Sequence, residues 1–187
     1  IAPFEDNTVI EPLISKSLKL KGSKVKTVEN NESLGYTEWT LKNGIKVVVR
    51  PSTLKADEVI ISASAKGGKS MLNDADYFHG DYLAMVMQQS GISKFSATEL
   101  AKQLSGKSAY ASVGVGAYEH AVNAGGSPKD IETILQLMYL NFTAPRFNET
   151  DLQNLKNMYV PYFRNMEADP GYLMGKAFQE TLYQNHV

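Results

Sequence analysis

The residues best suited to chemistry in this chain are three histidines, His79, His120 and His186, the carboxylates near them, and two glycine-lysine-serine triplets, Gly68-Lys69-Ser70 and Gly106-Lys107-Ser108. A zinc site built from side chains needs about three protein ligands, two of them usually one helical turn apart. No two histidines stand three or four residues apart, and Asp76 and Asp81 are not expected to share a ligand-forming helix face with His79. Each histidine therefore reads as a surface or hydrogen-bonded residue. A phosphate loop needs a further glycine five positions before the glycine of its triplet, so that backbone amides can cradle the anion. Ala63 and Ala101 occupy those positions, and the second triplet lies between a helix and a strand, the reverse of strand-loop-helix. A serine nucleophile would want a G-x-S-x-G elbow, and the sequence has none. The acid pairs Asp74/Asp76 and Glu149/Asp151 fall at expected helix starts, where the helix dipole accounts for them. Sequons at Asn31, Asn141 and Asn148 matter only in a glycosylating pathway, and Asn141 falls inside an expected helix. Tyr139, Phe142, Tyr159, Tyr162 and Phe163 recur at helical spacing and are assigned to the core. The residues alone yield no catalytic, cofactor-binding or metal-binding set.

The stretch that must position these groups runs from Glu58 to Gly91. Val59, Ile61, Ala63 and Ala65 alternate up to Gly67-Gly68. After a polar loop the spacing turns helical, with Phe78, Tyr82, Met85, Val86 and Gln89 on one face. A strand thus feeds a helix at about 76–89 through a glycine turn. The upstream strands are expected to pair with this one, and the later helices to cover one face of the sheet. Upstream, TEWTLKNGIKVVVRP contains Asn43-Gly44, which predicts a two-residue hairpin turn. Residues 1–35 read as linker or edge material, with one weak edge strand around Val25 and Val28. Downstream, Ser96 and Glu99 have capping-box spacing. The run SAYASVGVGAYEHAVNAGG predicts two antiparallel strands, with Ala109, Ala111, Val113 and Val115 facing one way and His120, Val122 and Ala124 answering them. Ser127-Pro128 predicts a helix start, with Ile131, Ile134, Leu135, Met138, Tyr139 and Phe142 as its apolar face. Asn148 opens a helix that contains Pro161. Asp169-Pro170-Gly171 reads as a turn before a last helix from Tyr172 to Val187.

The order of elements gives an α+β domain over 36–187, an antiparallel-rich sheet with helices packed on one face. At 187 residues the chain can bury roughly 70% of its unfolded surface, enough for a real core. A net charge of −1 gives no reason to expect nucleic acid or an anionic membrane surface as a partner. Apolar runs are too short for a membrane span. The absence of cysteine removes disulfides and thiolate metal sites. A start at Ile1 without methionine, and an end inside a helical run, suggest a segment of a longer protein, incomplete at its C-terminus.

TEWTLKNGIKVVVRP, the strand ending in AKGG, SATELAKQLSGK, SPKDIETILQLMYLNFTAPRFN and the helix after it together resemble the pitrilysin/insulinase-like zinc metallopeptidases over about 36–185. The likeness is to the non-catalytic domain of the C-terminal half, a half-domain of the pitrilysin/mitochondrial-processing-peptidase-like fold. In that family the first domain carries an inverted H-x-x-E-H on the helix equivalent to 76–90. Its histidines bind zinc with a later glutamate, and the motif's own glutamate activates water. With His79 on the first histidine, the other two positions hold Tyr82 and Leu83. The resemblance thus implies an inactive domain with no zinc of its own, and zinc elsewhere in a parent metalloendopeptidase. It implies as partners a catalytic half, in the same or a companion chain, and a peptide substrate. It further implies a periplasmic or envelope location and additional strands after the last helix. The alternative is an inactive homologue that serves as a partner subunit or scaffold.

Overall fold

The computed structural model describes residues 10–15 and 17–184. They form an α+β chain in two compact units, one spanning 14–58 and the other running from 59 onward together with the segment before residue 14. The smaller unit is a three-stranded antiparallel sheet of β1 (Val25–Asn31), β2 (Tyr36–Leu41) and β3 (Lys46–Val49), in that order. The register slips between Val25 and Thr27, a bulge that explains why Val25 and Val28 do not alternate. The Asn43-Gly44 turn differs from expectation. Gly44 N–H donates to Leu41 O at 3.0 Å, Leu41 N–H donates to Ile45 O at 2.8 Å, and only Gly44 takes a positive φ, 89°. That is a three-residue loop, a type I turn closed by a left-handed glycine, since a two-residue type I′ turn would need positive φ at Asn43 as well.

The second unit contains β4 (Val59–Lys66), α1 (His79–Ser90), α2 (Ala97–Gln103), β5 (Ala109–Val115), β6 (Glu119–Gly126), α3 (Ile131–Thr143), α4 (Glu149–Met166) and α5 (Pro170–Leu182). Its sheet has the order β4-β6-β5, antiparallel throughout. The expectation that the upstream strands pair with β4 therefore fails, because those strands form a sheet of their own. Alternation decides which face a side chain takes, not which strand supplies the hydrogen bonds. β4 matches β6 residue for residue, from Val59 opposite Gly126 to Lys66 opposite Glu119.

The core lies where α1 and α3 cover β5 and β6. Val122 and Ala124 point into it from β6, opposite Val113 and Ala111. Ile134, Leu137 and Leu140 enter from α3 and Met87 from α1, while Ile92 and Phe95 enter from the tight connection after α1. Both helices are rotated relative to the faces read from sequence. α1 buries Gly80, Met87 and Ser90, leaving Tyr82 exposed, and α3 buries Thr133, Ile134, Leu137 and Leu140, leaving Leu135 and Phe142 exposed. α3 is apolar nearly all round, so its periodicity does not single out one stripe.

The helix ends mostly follow local chemistry. Ser96 and Glu99 form the full capping box, Gly91 ends α1 with φ 86°, and the Asn148 side chain accepts from the amides of Thr150 and Asp151. Ser127 makes no side-chain cap. The chain passes through a single 3-10 turn before α3, and Asp130 turns back to accept from Ser108 N–H at 2.9 Å. Asp169-Pro170-Gly171 is the start of α5 rather than a separate turn, with Asp169 accepting from Tyr172 N–H. α4 continues through Pro161 without a break. No helix among the described residues is long and apolar enough to cross a membrane.

Candidate functional site

The joint between β4 and α1 gathers the first glycine-lysine-serine triplet, His79, His120, Asp76 and Asp81. Backbone there is forced into unusual shapes, with Gly67 at φ 141° and Gly68 at φ 67°. A side chain at Gly68 would place its first carbon 2.3 Å from Gly116 O, so only glycine lets the turn approach the β5–β6 hairpin this closely. The four amides a phosphate would need are all occupied. Gly67 N–H donates to Tyr118 O, Lys69 N–H to Gly116 O and Ser70 N–H to Ala117 O, each at 2.8 Å. Gly68 N–H donates to His120 Nε2 at 3.3 Å. Ser70 Oγ turns back onto Gly67 O at 2.6 Å. This triplet is a structural clasp on the hairpin. The second triplet is also spent internally: Lys107 N–H goes to Leu104 O, Ser108 N–H to Asp130, and Lys107 Nζ to Thr133 Oγ1.

Lys69 extends the clasp to α1. Its side chain is only 12% exposed, with Nζ 2.5 Å from Asp81 Oδ1 in the first turn of the helix. It also lies 4.3 Å from the centre of the Tyr77 ring. A first carbon on Gly80 would fall 2.8 Å from Lys69 Cγ, so Gly80 leaves room for the lysine stem. The hydrogen bond to Asp81, reinforced by that carboxylate's charge, raises the Lys69 pKa above 10.5 despite the opposing effect of burial. A lysine held protonated by its partner is a tether and not a base.

His79, Tyr82 and Leu83, onto which the resemblance lays the metal motif, sit in the first turns of this helix. His79 is exposed, and Asp76 lies closer to it than spacing suggested, its Oδ1 3.2 Å from His79 Nδ1. Tyr82 packs edge-on against Phe163 of α4 at 6.2 Å, and Leu83 offers no donor atom. Asp81 is engaged by Lys69. Among the described residues no three histidine, cysteine or acidic side chains come together as a metal site. These residues do not fit a zinc ion: one imidazole with a single carboxylate, Asp76, beside it, a second carboxylate already paired with a lysine, a tyrosine ring in an aromatic stack and a leucine. His186 lies outside the described residues.

The other candidates separate in space. The aromatic series is not core: Phe142, Tyr162 and Phe163 are exposed, and Tyr159, Tyr162 and Phe163 form a surface cluster continued by Tyr82. The sequon amides are engaged by their own chain. Asn31 accepts from Ser33 and Leu34, Asn141 donates to Leu137 O inside α3, and Asn148 caps α4. Glu149 and Asp151 stand in the first turn of α4 as expected. Sequence reading missed the reach of Lys69 to Asp81 and of Gly68 to His120, because neither partner lies within a helical turn of the other in sequence. A cavity of about 250 Å³ lies between α1, α2, α3 and β5, lined by residues including Ala84, Met87, Leu100, Leu104, Val113 and Leu137. It is mainly apolar and contains no histidine, cysteine or charged side chain.

No family model matches the chain. A zinc protease PQQL-like protein of Arabidopsis thaliana is 24% identical over 186 residues, which is 99% of this chain and 17% of that protein. The periplasmic protease PqqL of Escherichia coli superposes with a TM-score of 0.80 at 17% identity, over 98% of this chain and 20% of that one. A variant of the ferredoxin protease FusC, in complex with Arabidopsis ferredoxin, gives 0.77 at 17% identity over 95% and 19%. The chain thus spans at most a fifth of the length of these relatives. The resemblance to pitrilysin/insulinase-like zinc proteases drawn from the residues is borne out, as is the α+β fold, and the match is to a domain-sized part of such a protein.

Proposed function

We propose that this pitrilysin-like domain is a non-catalytic part of a zinc metalloendopeptidase, walling a peptide chamber whose zinc site belongs to another domain of the same or a companion chain. The observation that carries the reading is the state of the motif helix. On the overlay the resemblance implies, His79, Tyr82 and Leu83 take the places of two ligands and a base, Tyr82 packs edge-on against Phe163, and Asp81 is committed to Lys69. The zinc protease description of the plant relative and the protease identity of both structural neighbours support proteolysis as the activity of the parent. A periplasmic location is part of the proposal. It draws on the description of the Escherichia coli neighbour, while the plant relative leaves other compartments open.

The test is zinc content and peptidase activity of the purified chain. Less than about 0.1 zinc per chain after equilibration and desalting, with no chelator-sensitive cleavage of unfolded peptides, is the expected outcome. Stoichiometric tight zinc, or cleavage abolished by a chelator, would overturn it. The scaffold alternative is separated by the parent reading frame: an H-x-x-E-H there, or in a companion chain that co-purifies, supports the chamber role, and its absence from both supports a scaffold.

A further inference from the structure

We propose that His120 makes the Gly67–Ser70 clasp a proton-sensitive latch that holds the β4–α1 connection closed while the imidazole is neutral and releases it on protonation. The Gly68 amide donates to His120 Nε2 at 3.3 Å, so that nitrogen must present its lone pair, and the ring proton resides on Nδ1. This is the opposite tautomer from the one a free histidine side chain favours in water. Contact with the clasp is close. A first carbon on Gly67 would lie 2.8 Å from His120 Nε2 and 2.6 Å from Met71 Sδ. An imidazolium carries a proton on both nitrogens. Protonation therefore replaces an acceptor with a donor opposite the Gly68 amide, at a position where glycine backbone leaves no space for the ring to withdraw toward the turn.

The residues directly across the sheet from His120 carry no charge to stabilise the one that would form. The cross-strand neighbours of His120 are Ala65 on β4 and Val115 on β5, neither of which ionises. Glu119 and Lys66 are paired one position away and alternate to the other face of the sheet. On the turn, Lys69 is committed to Asp81 and Tyr77. His120 is itself exposed, so protons reach it directly. The clasp is the link through which the end of β4 and the β5–β6 hairpin hold Lys69, and through Lys69 the first turn of α1. Opening it by protonation of the ring loosens that link while the paired strands persist.

The experiment is NMR on the 187-residue chain, as wild type, His120→Gln and His120→Ala. Above about pH 8, long-range nitrogen-proton correlations are expected to place the His120 proton on Nδ1. As His120 titrates, protection of the Gly68 amide, normalised to Ala124 in the paired strand, is expected to fall about tenfold or more, the size of one lost and unreplaced hydrogen bond. In His120→Gln the carboxamide oxygen accepts from Gly68 at every pH, so protection stays level. In His120→Ala it is low at every pH. A proton on Nε2 at high pH would overturn the proposal. So would Gly68 protection unchanged through the titration, or a His120→Gln variant that follows the wild-type pH profile.

Discussion

Two leucines on α3 give a direct test of how the core is assembled. Leu135 and Leu137 are two residues apart on the same helix. The apolar stripe read from sequence contains Leu135 and omits Leu137, whereas in the structure Leu135 is 51% exposed and Leu137 is 3% exposed. Truncating Leu137 removes a fully buried side chain beside Met87 and the β5 residues that line the neighbouring cavity. A buried leucine cut to alanine costs about 2–5 kcal/mol, with values at the low end where a cavity already adjoins the site and the lost contacts are fewer. Leu135→Ala removes a side chain about half in water, so roughly half the transfer energy of a buried leucine, about 1 kcal/mol, is at stake. Urea titration followed by far-UV circular dichroism measures both, with the slopes checked for equality so that midpoints report stability alone. The expected order is a large loss for Leu137→Ala and a small one for Leu135→Ala. Equal losses, or the reverse order, would refute the placement of α3 against β5 and β6.

Three further outcomes follow from the same packing. Ser90 is fully buried at the end of α1 and its hydroxyl has no hydrogen-bond partner, so Ser90→Ala should stabilise the chain by about 1–2 kcal/mol in the same titration; a loss of stability would mean the hydroxyl is satisfied. Gly126 has φ 147° and a first carbon there would fall 1.8 Å from Ser108 O, so Gly126→Ala should cost about 3 kcal/mol or more; a thermal midpoint near wild type would refute that strain. The Glu99 carboxyl is held below its usual 4.5, first by the Ser96 amide and then by the Ser96 hydroxyl. A folded-state pKa below the unfolded one gives stability that is present above the unfolded value and lost as pH falls through the folded one. Glu99→Gln should therefore flatten the acid limb of the stability profile below about pH 5, and an unchanged limb would show that the box contributes nothing through charge.

The legible parts of the sequence were those fixed by local chemistry. Ser96 with Glu99, Gly91 after α1, Asn148 before α4 and the alternation of β5 with β6 each report on residues within a few positions, and the structure has all of them. What was not legible depended on distant partners. Alternation in β4 gave its existence but not its neighbour, and β6 outcompeted the upstream strands. Helical periodicity gave α1 and α3 but not their rotation, because small residues such as Gly80 and Ser90 do the close packing on α1 while bulky Tyr82 stays outside. Asp130 illustrates the same conflict within one residue. Its carboxylate is drawn to Ser108 N–H across the sheet, and the expected serine cap gives way to a 3-10 entry.

The clasp shows why glycine, lysine and serine together need not mean phosphate. In a phosphate loop the amides point into open space and wait for an anion. Here Gly67 to Ser70 face a hairpin that supplies three carbonyls and an imidazole nitrogen, so every amide is satisfied before any ligand arrives. Lys69, which in a phosphate loop would reach a ligand, instead reaches Asp81 on the next helix. The same four residues thus exchange anion binding for rigidity where β4 passes into α1. That rigidity depends on a single titratable acceptor, because the other three amides meet carbonyls that no change of pH can protonate. The connection between β4 and α1 is fixed by backbone and tuned by His120 alone among the partners of these four amides.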